Sequence, residues 1–486
     1  MNSLICIDDD TIASLSLNNQ DHTEVSLLGL TKNQDLYMIN GYRDRNGVSY
    51  SKQIKLAYNV TSFMLHKMED ISEDSKNLVR NSGLGFNTTQ GGGKSIRYSS
   101  NVEMFILATL NSHELIIIPL TENLYSNILS NNARPERSTY RRKIANGATL
   151  HVSFDVEVIL HIPRGEIESI RPRPLLISKL RKYLAALNFE KAFNLVRTNR
   201  LDMNLLIDDD YNRFVENIKL FIDQVGYQNT KDGFHIFIAE VNDNDCRESE
   251  NYKKIYDAYK DSKSSNVSSN GISYVPIPTS NKKNIICDLF KTITTNLSVF
   301  TSCCIRKNPR EIKESLLKIK DELDSNDPQR MNLAENAIKQ IFTIVDDKHK
   351  LYLEALGTYD KNIFQIIAKR AHQDPTEVQE LQSKLDSCSP DAFRRANIDI
   401  YLKRFHSALD NLAKSGHQIA LNEGIRISRN ENLFAHFISC FESTTNESND
   451  FYVQACLAYA VDLEKKGKYR GGRIKWYCFE TCILKI

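Results

Sequence analysis

One stretch, from Val158 to Asp210, constrains the fold more than any other. An apolar, β-branched run (Val156, Val158, Ile159, Ile162) meets a turn at Pro163-Arg164-Gly165. A second break follows at Arg171-Pro-Arg-Pro174, and the apolar spacing then changes. Leu176, Leu180, Tyr183, Leu184 and Leu187 recur at steps of three and four, as do Phe189, Ala192, Phe193 and Val196. Alternation suits a half-buried strand, whereas steps of three and four place apolar groups on one face of a helix. The spacing therefore predicts strands up to Ile162 and helices from Arg173.

The two sides of this junction differ in texture. Up to Ile162, short apolar runs (Leu36–Ile39, Gln53–Leu56, Val60–Leu65, Met104–Leu107, Leu115–Leu120) are separated by Asn, Gly and Ser, a pattern of a propeller or a sandwich. Beyond Arg173 helical periodicity dominates, and Phe214, Ile218, Phe221 and Ile222 share one face of the segment Leu205–Val225. Asp208, Asp209 and Asp210 adjoin one another, so they cannot converge on one ion from a helix; capping of a helix beginning near Tyr211 is the expected role. The segment 228–283 is the least regular, with Ser262–Asn270 nearly all Ser, Asn and Lys, and reads as a flexible insertion.

Composition excludes several classes. The chain has 486 residues, 26% charged and 41% hydrophobic, which suits a water-soluble fold of about three domains. A net charge of +2 gives no global field for nucleic acid. The ten cysteines form no disulfide framework, and the close pairs Cys303-Cys304 and Cys478/Cys482 lack nearby partners at metal spacing, so reduced thiols are expected. The start, MNSLICIDDD, has no signal-peptide character, and the longest apolar run, around Ile116–Ile118, is far too short for a membrane span. An intracellular protein is the expectation.

No catalytic constellation emerges. The eleven histidines are dispersed, among them His113, His151, His349, His372, His406, His417 and His436, and no CxxC, HExxH, GxSxG or GxGxxG motif occurs. Gln90-Gly-Gly-Gly-Lys-Ser95 invites a phosphate-loop reading with Lys94. That loop needs a glycine where this chain has Thr88, and no apolar strand leads into it. A loop insertion at 69–101 is the better reading. The basic cluster of Lys465, Lys466, Lys468, Arg470, Arg473 and Lys475 reads as a solvated helix end. The expectation is no enzyme, no cofactor and no metal.

The string HIPRGEIESIRPRPLLISKLRK, continuing through NFEKAFNLVRTNRLDMNLLID, resembles the signature region of the largest subunit of the Elongator complex (the IKI3/IKAP family). Pro163, Arg164, Gly165 and Glu168 match, with Glu166 and Ile167 where the family has Asn-Leu. Arg173, Leu180, Arg181, Ala192, Phe193, Arg197, Arg200 and Asn204 match in the helical block. A second stretch matches at Leu356, Gly357, Thr358, Tyr359 and Asp360, then at Tyr401, Leu402, Lys403 and Arg404. One departure lies after the Asp374-Pro375 helix start, where Val378-Gln-Glu380 replaces the family's Tyr-Leu-Pro.

The resemblance implies a β-then-α architecture, with the last blades of a WD-repeat propeller joined to a TPR-like α-solenoid. On that reading residues 1–162 are a partial second propeller and 163–227 the junction with the first solenoid helices. Residues 284–469 are the solenoid and 470–486 an aberrant tail with the look of an out-of-frame or intron-derived ending. The implied role is a non-catalytic scaffold that supports wobble-uridine modification of tRNA by holding the catalytic radical, acetyltransferase-like subunit and a second propeller subunit. Transfer RNA contact is indirect or weak, there is no membrane partner, and the family's homodimerisation region is absent. The location is cytoplasmic, with the nucleus as a second site. A propeller–solenoid scaffold of a vesicle coat or transport complex is the alternative.

Overall fold

The computed structural model describes residues 3–7, 23–44, 47–68, 104–120, 139–226, 233–260, 281–325, 327–442 and 449–466. The loop with Lys94, the segment Ser262–Asn270 and the tail 470–486 lie outside them. The chain divides into two compact units, Met1–Ile293 and Thr294–Ile486.

The first unit opens with two four-stranded antiparallel meanders. One comprises β1 (Ser3–Ile7), β2 (Thr23–Leu30), β3 (Leu36–Asp44) and β4 (Gly47–Ala57), and the other β5 (Val60–Lys67), β6 (Met104–Leu110), β7 (Glu114–Pro119) and β8 (Tyr140–Lys143). Each expected apolar run falls within one of these strands or ends a residue beyond it. Every residue of β6 is buried, so this strand is covered on both faces. Met104, Ile106 and Ala108 pack with Leu28, Leu36 and Met38 of the first meander. Phe105, on the opposite face, lines a small pocket with Ile117, Pro174 and Ile255.

A third sheet pairs β9 (Thr149–Phe154), β10 (Glu157–His161) and β11 (Ile167–Ile170) in the order β11-β10-β9. β11 places the end of the strand region at Ile170, beyond the expected boundary at Ile162. Pro163-Arg164-Gly165 is a hairpin tip rather than a terminus: Gly165 takes φ +85° and donates to the Ile162 carbonyl at 2.9 Å.

Helices follow as the spacing predicts: α1 (Arg173–Ala185), α2 (Phe189–Thr198), α3 (Leu205–Asp208), α4 (Tyr211–Glu216) and α5 (Ile218–Gly226). α6 (Gly233–Glu240), a short 3-10 turn (Cys246–Glu248) and α7 (Lys253–Lys260) then occupy part of the expected flexible insertion, before α8 (Lys282–Ile293). The correction has a physical cause. Phe234 and Phe237 of α6 join Phe189, Phe214, Phe221 and Phe290 in one aromatic cluster, with centroids 4.7 Å apart for Phe221–Phe237 and 4.9 Å for Phe234–Phe290. Such a cluster holds a short helix that its own spacing would not mark.

Strands and helices of this unit are tied by charge as well as by packing. Lys179 of α1 reaches Asp155, at the β9–β10 turn, at 2.6 Å, and Lys182 donates to the Met68 carbonyl at 3.4 Å.

The second unit is helical throughout its described residues: α9 (Leu297–Arg306), α10 (Ile312–Leu323), α11 (Pro328–Ile344), α12 (Lys348–Leu356), α13 (Lys361–Arg370), α14 (Pro375–Asp386), α15 (Asp391–Tyr401), α16 (Phe405–Ser415), α17 (Gln418–Glu431), α18 (Phe434–Glu442) and α19 (Asn449–Lys465). Its apolar clusters succeed one another along the chain. The first runs from Leu297 to Ile367, the next from Tyr352 to Ile398, the last from Ala396 to Ala455. Each layer packs on its neighbours in sequence, which is the construction of a solenoid.

One turn recurs across both units. Leu187, Arg200, His372, Lys403 and Asn432 all take the left-handed conformation, with φ between 51° and 59°. The next amide in each case donates five residues back: Asn188 to Tyr183, Leu201 to Val196, Gln373 to Ala368, Arg404 to Asp399 and Leu433 to Ser428. This helix-ending motif satisfies orphan carbonyls and reverses the chain in few residues. Its repetition with side chains other than glycine gives the helix hairpins a common geometry.

Candidate functional site

The signature residues of the second unit assemble into one polar node. Leu356 is buried in the core, Gly357 ends α12, and Thr358 closes the turn by donating to the Ala355 carbonyl at 2.7 Å. Tyr359 follows at φ +64°, which aims its hydroxyl across the hairpin at the fully buried carboxylate of Asp399 on α15. That hydroxyl lies 2.9 Å from both carboxylate oxygens. Ser407 and Asn411 of α16 donate to the same carboxylate at 2.9 and 2.8 Å. Three elements are thereby fastened to one acid. Burial raises the Tyr359 phenol above its usual range and so keeps it a donor.

Around this node, Asp360 caps α13 by accepting from the Ile363 amide at 3.0 Å and pairs with Lys320 at 3.2 Å. Arg404 lies against Gly357, where any Cβ would overlap its guanidinium, and pairs with Glu354 at 2.8 Å. Lys313 sits over the Tyr359 ring, 4.7 Å from its centroid. Burial, and then repulsion by Arg404, hold this ammonium below the usual lysine range. Tyr401 and Lys403 point outward, and Tyr401 is 52% exposed. The two strings matched by resemblance, around Leu356–Asp360 and Tyr401–Arg404, are thus one place in space.

In the first unit the signature residues divide. Ala192 and Phe193 are buried in α2, whereas Arg197, Pro163, Arg164 and Gly165 are exposed and Glu168 is half-buried. Among the described residues nothing brings the hairpin tip and α2 to a common site. The acids Asp208–Asp210 separate to three partners. Asp210 caps α4 by accepting from the Arg213 amide at 3.1 Å, as expected. Asp209 pairs with Arg181 at 3.0 Å. Asp208 is fully buried with Lys282, whose Nζ lies 2.9 and 3.1 Å from its carboxylate oxygens and donates to the Asn244 carbonyl at 2.6 Å. Burial raises the Asp208 carboxyl above the usual range, against the opposing pull of Lys282.

Three mixed clusters among the described residues bring possible metal ligands within reach of one another. In the first, Asp208, Asp245 and Cys246, the cationic position is taken by Lys282 and by Arg247, which holds Asp245 at 2.7 Å. In the second, Cys304, Glu311 and Glu314, Lys307 pairs with Glu311. The third, Asp410, His436 and Cys440, joins α16 to α18: His436 Nε2 and Cys440 Sγ lie 3.1 and 3.0 Å from the same Asp410 oxygen. Burial, and then the bond to Asp410, push the Cys440 thiol up to about 12. Sequence reasoning missed this group because it weighed each histidine alone. The signal was present as two four-residue steps, His406/Asp410 and His436/Cys440.

Comparison with known proteins gives the arrangement a family. Residues 173–385 match the family model described as ELP1 alpha-solenoid. The chain is 28% identical over 411 residues to a putative elongator complex protein 1 of Xenopus laevis, covering 82% of this chain and 32% of the relative. It is 31% identical over 281 residues to Elongator complex protein 1 of Arabidopsis thaliana, covering 54% and 20%, and 25% identical over 388 residues to that of Saccharomyces cerevisiae, covering 75% and 26%. The chain therefore spans about a quarter to a third of the length of the first relatives it matches. The part from Arg173 onward is under two thirds of the chain, so an 82% match reaches back into the strands. With strands and solenoid both included in the match, the chain is similar to Elongator complex protein 1 across both of its regions.

Proposed function

We propose that this chain is a non-catalytic scaffold portion of the Elongator complex, supporting wobble-uridine modification of tRNA by holding the catalytic subunit. The observation that carries the reading is the match to Elongator complex protein 1 across strands and solenoid together. Its meanders are blades of a WD-repeat propeller, and its helices form a TPR-like solenoid whose stacked layers offer an extended surface to the catalytic and second propeller subunits. The polar groups favour this role. The Asp399 and Asp208 carboxylates are consumed by partners that fasten helices, which is architecture rather than reaction chemistry. Transfer RNA is contacted indirectly, and the complex works in the cytoplasm and nucleus.

Affinity capture tests the proposal. A tagged chain expressed in cells of its source should co-purify with the catalytic Elongator subunit. A Leu356→Asp variant, which places a charge in the buried solenoid core, should lose that capture together with its helical stability. Recovery of the wild-type chain, folded but without Elongator subunits, would overturn the reading.

A further inference from the structure

We propose that α16 and α18 carry a transition-metal site, best suited to Zn2+, built from Asp410, His436 and Cys440. The group comes from two facing helices. His406 and Asp410 are one turn apart on α16, and His436 and Cys440 are one turn apart on α18. A four-residue step places both members of each pair on one side of their helix. The ligand atoms of Asp410, His436 and Cys440 all lie within 4.8 Å of one another. Ligands at about 2.0–2.3 Å from a tetrahedral zinc stand roughly 3.3–3.8 Å apart, so the measured spacings of 3.0 and 3.1 Å need only small shifts. The exposed His406 ring lies beside His436, centroids 4.9 Å apart, and is not one of the three ligands within 4.8 Å of one another.

The chemistry of the set selects the ion. One imidazole nitrogen, one carboxylate oxygen and one thiolate sulfur form a borderline-soft set that suits Zn2+ and disfavours Mg2+ or Ca2+. The other two clusters answer their acids with lysine or arginine. Here the groups on Asp410 are a thiol and an imidazole, which exchange a proton for a metal. On binding, the Cys440 S–H bond breaks, its proton leaves to solvent, and a metal–sulfur bond forms with no change of oxidation state. The imidazole of His436 binds through Nε2 and carries its proton on Nδ1. The ion would clamp consecutive helix hairpins across one layer of the solenoid, whatever complex the chain serves.

Cobalt substitution is the direct test. The purified 486-residue chain, stripped with a chelator, should take up one Co2+ with a near-ultraviolet thiolate-to-cobalt band and the visible bands of a tetrahedral ion. Zn2+ should bleach both. The chain has ten cysteines, so the assignment turns on variants. Cys440→Ser should abolish the thiolate band, and Asp410→Asn and His436→Ala should each weaken zinc binding at least ~100-fold, more than the loss of an outer-shell partner. His406→Ala, which removes no ligand, should leave it nearly unchanged. Zinc should raise the Tm of the wild type by roughly 5 °C and leave Cys440→Ser unmoved. Far-ultraviolet circular dichroism checks that the variants fold, and half-exposed His436 supplies a substitution outside the core. A cobalt spectrum without a thiolate band, or one unchanged in Cys440→Ser, would overturn the proposal.

Discussion

Asp208 in the first unit and Asp399 in the second are both fully buried carboxylates, yet the molecule satisfies them in opposite ways. Asp208 faces a buried ammonium, Lys282, which is anchored in turn on the Asn244 carbonyl. Asp399 faces a phenol, a hydroxyl and an amide, all neutral donors. The first arrangement joins residues 74 positions apart and makes each charge depend on the other. The second spreads one charge over three neutral donors on two hairpin partners, so that no single donor is decisive. Loss of one partner from an ion pair should therefore cost more than loss of one donor from a network.

The largest expected effect tests the ion pair. Lys282→Met should destabilise the first unit by about 3–5 kcal/mol, because it strands a carboxylate in a closed core. The deficit should depend on pH. Asp208 already has a raised folded-state pKa, and removal of Lys282 leaves burial unopposed. A raised acid binds more protons folded than unfolded, so its contribution is fully present below the unfolded value and is lost as pH rises through the folded one. Urea titrations should then show a deficit that is greatest at neutral pH and shrinks as pH falls toward the ordinary carboxylate range. A deficit that grows on acidification would refute the assignment of burial as the dominant cause.

Asp399→Ala should cost about 2–3 kcal/mol by leaving Tyr359, Ser407 and Asn411 without their acceptor. Tyr359→Phe, which deletes one donor, should cost about 1 kcal/mol. Hydrogen exchange read by mass spectrometry sharpens the contrast, since Lys282→Met should open helices of the first unit and Asp399→Ala those around α12, α15 and α16. Equal losses for Tyr359→Phe and Asp399→Ala would mean that one bond, not the network, holds the node.

Next come two glycines of the second unit. A Cβ at Gly424 would strike the ring of fully buried Phe437, so Gly424→Ala should cost about 1–3 kcal/mol. At Gly357 the obstacle is the flexible end of Arg404, so Gly357→Ala should cost under about 1 kcal/mol, chiefly the Glu354 pair. Thermal unfolding of the two variants ranks them. The smallest effect is a gain: Lys403→Gly relieves a left-handed lysine of about 1 kcal/mol, part of which is offset by the added freedom of the unfolded chain.

How much of this was legible in advance varies with the distance over which each feature acts. The helix beginning at Arg173, the cap at Asp210 and the run Met104–Leu107 depend on neighbours within a few positions, and each sits where the spacing places it. β11 and α6 escaped. The turn at Pro163-Arg164-Gly165 reads equally as a hairpin tip or a strand terminus, and only pairing of Ile167–Ile170 with β10 distinguishes them. The apolar run in α6 takes its helix from phenylalanines on three other helices.

The candidate sites divide in the same way. Resemblance picked out Leu356–Asp360 and Tyr401–Arg404 as separate strings, the second of them preceded by Asp399-Ile400, and the packing of α12, α15 and α16 made them one node around Asp399. His436 and Cys440 were visible as a four-residue step, but not that Asp410 stands opposite. By itself the sequence determined the change from strand to helix, the cap before Tyr211 and the family resemblance, because period, capping and motif identity are local properties of the chain. The tertiary structure alone decided which acids are buried, which cation or donor each receives and which helices share a ligand corner. Burial and pairing belong to no single stretch; they arise when distant segments exclude water together, and the cost of an unpaired charge then selects the partner.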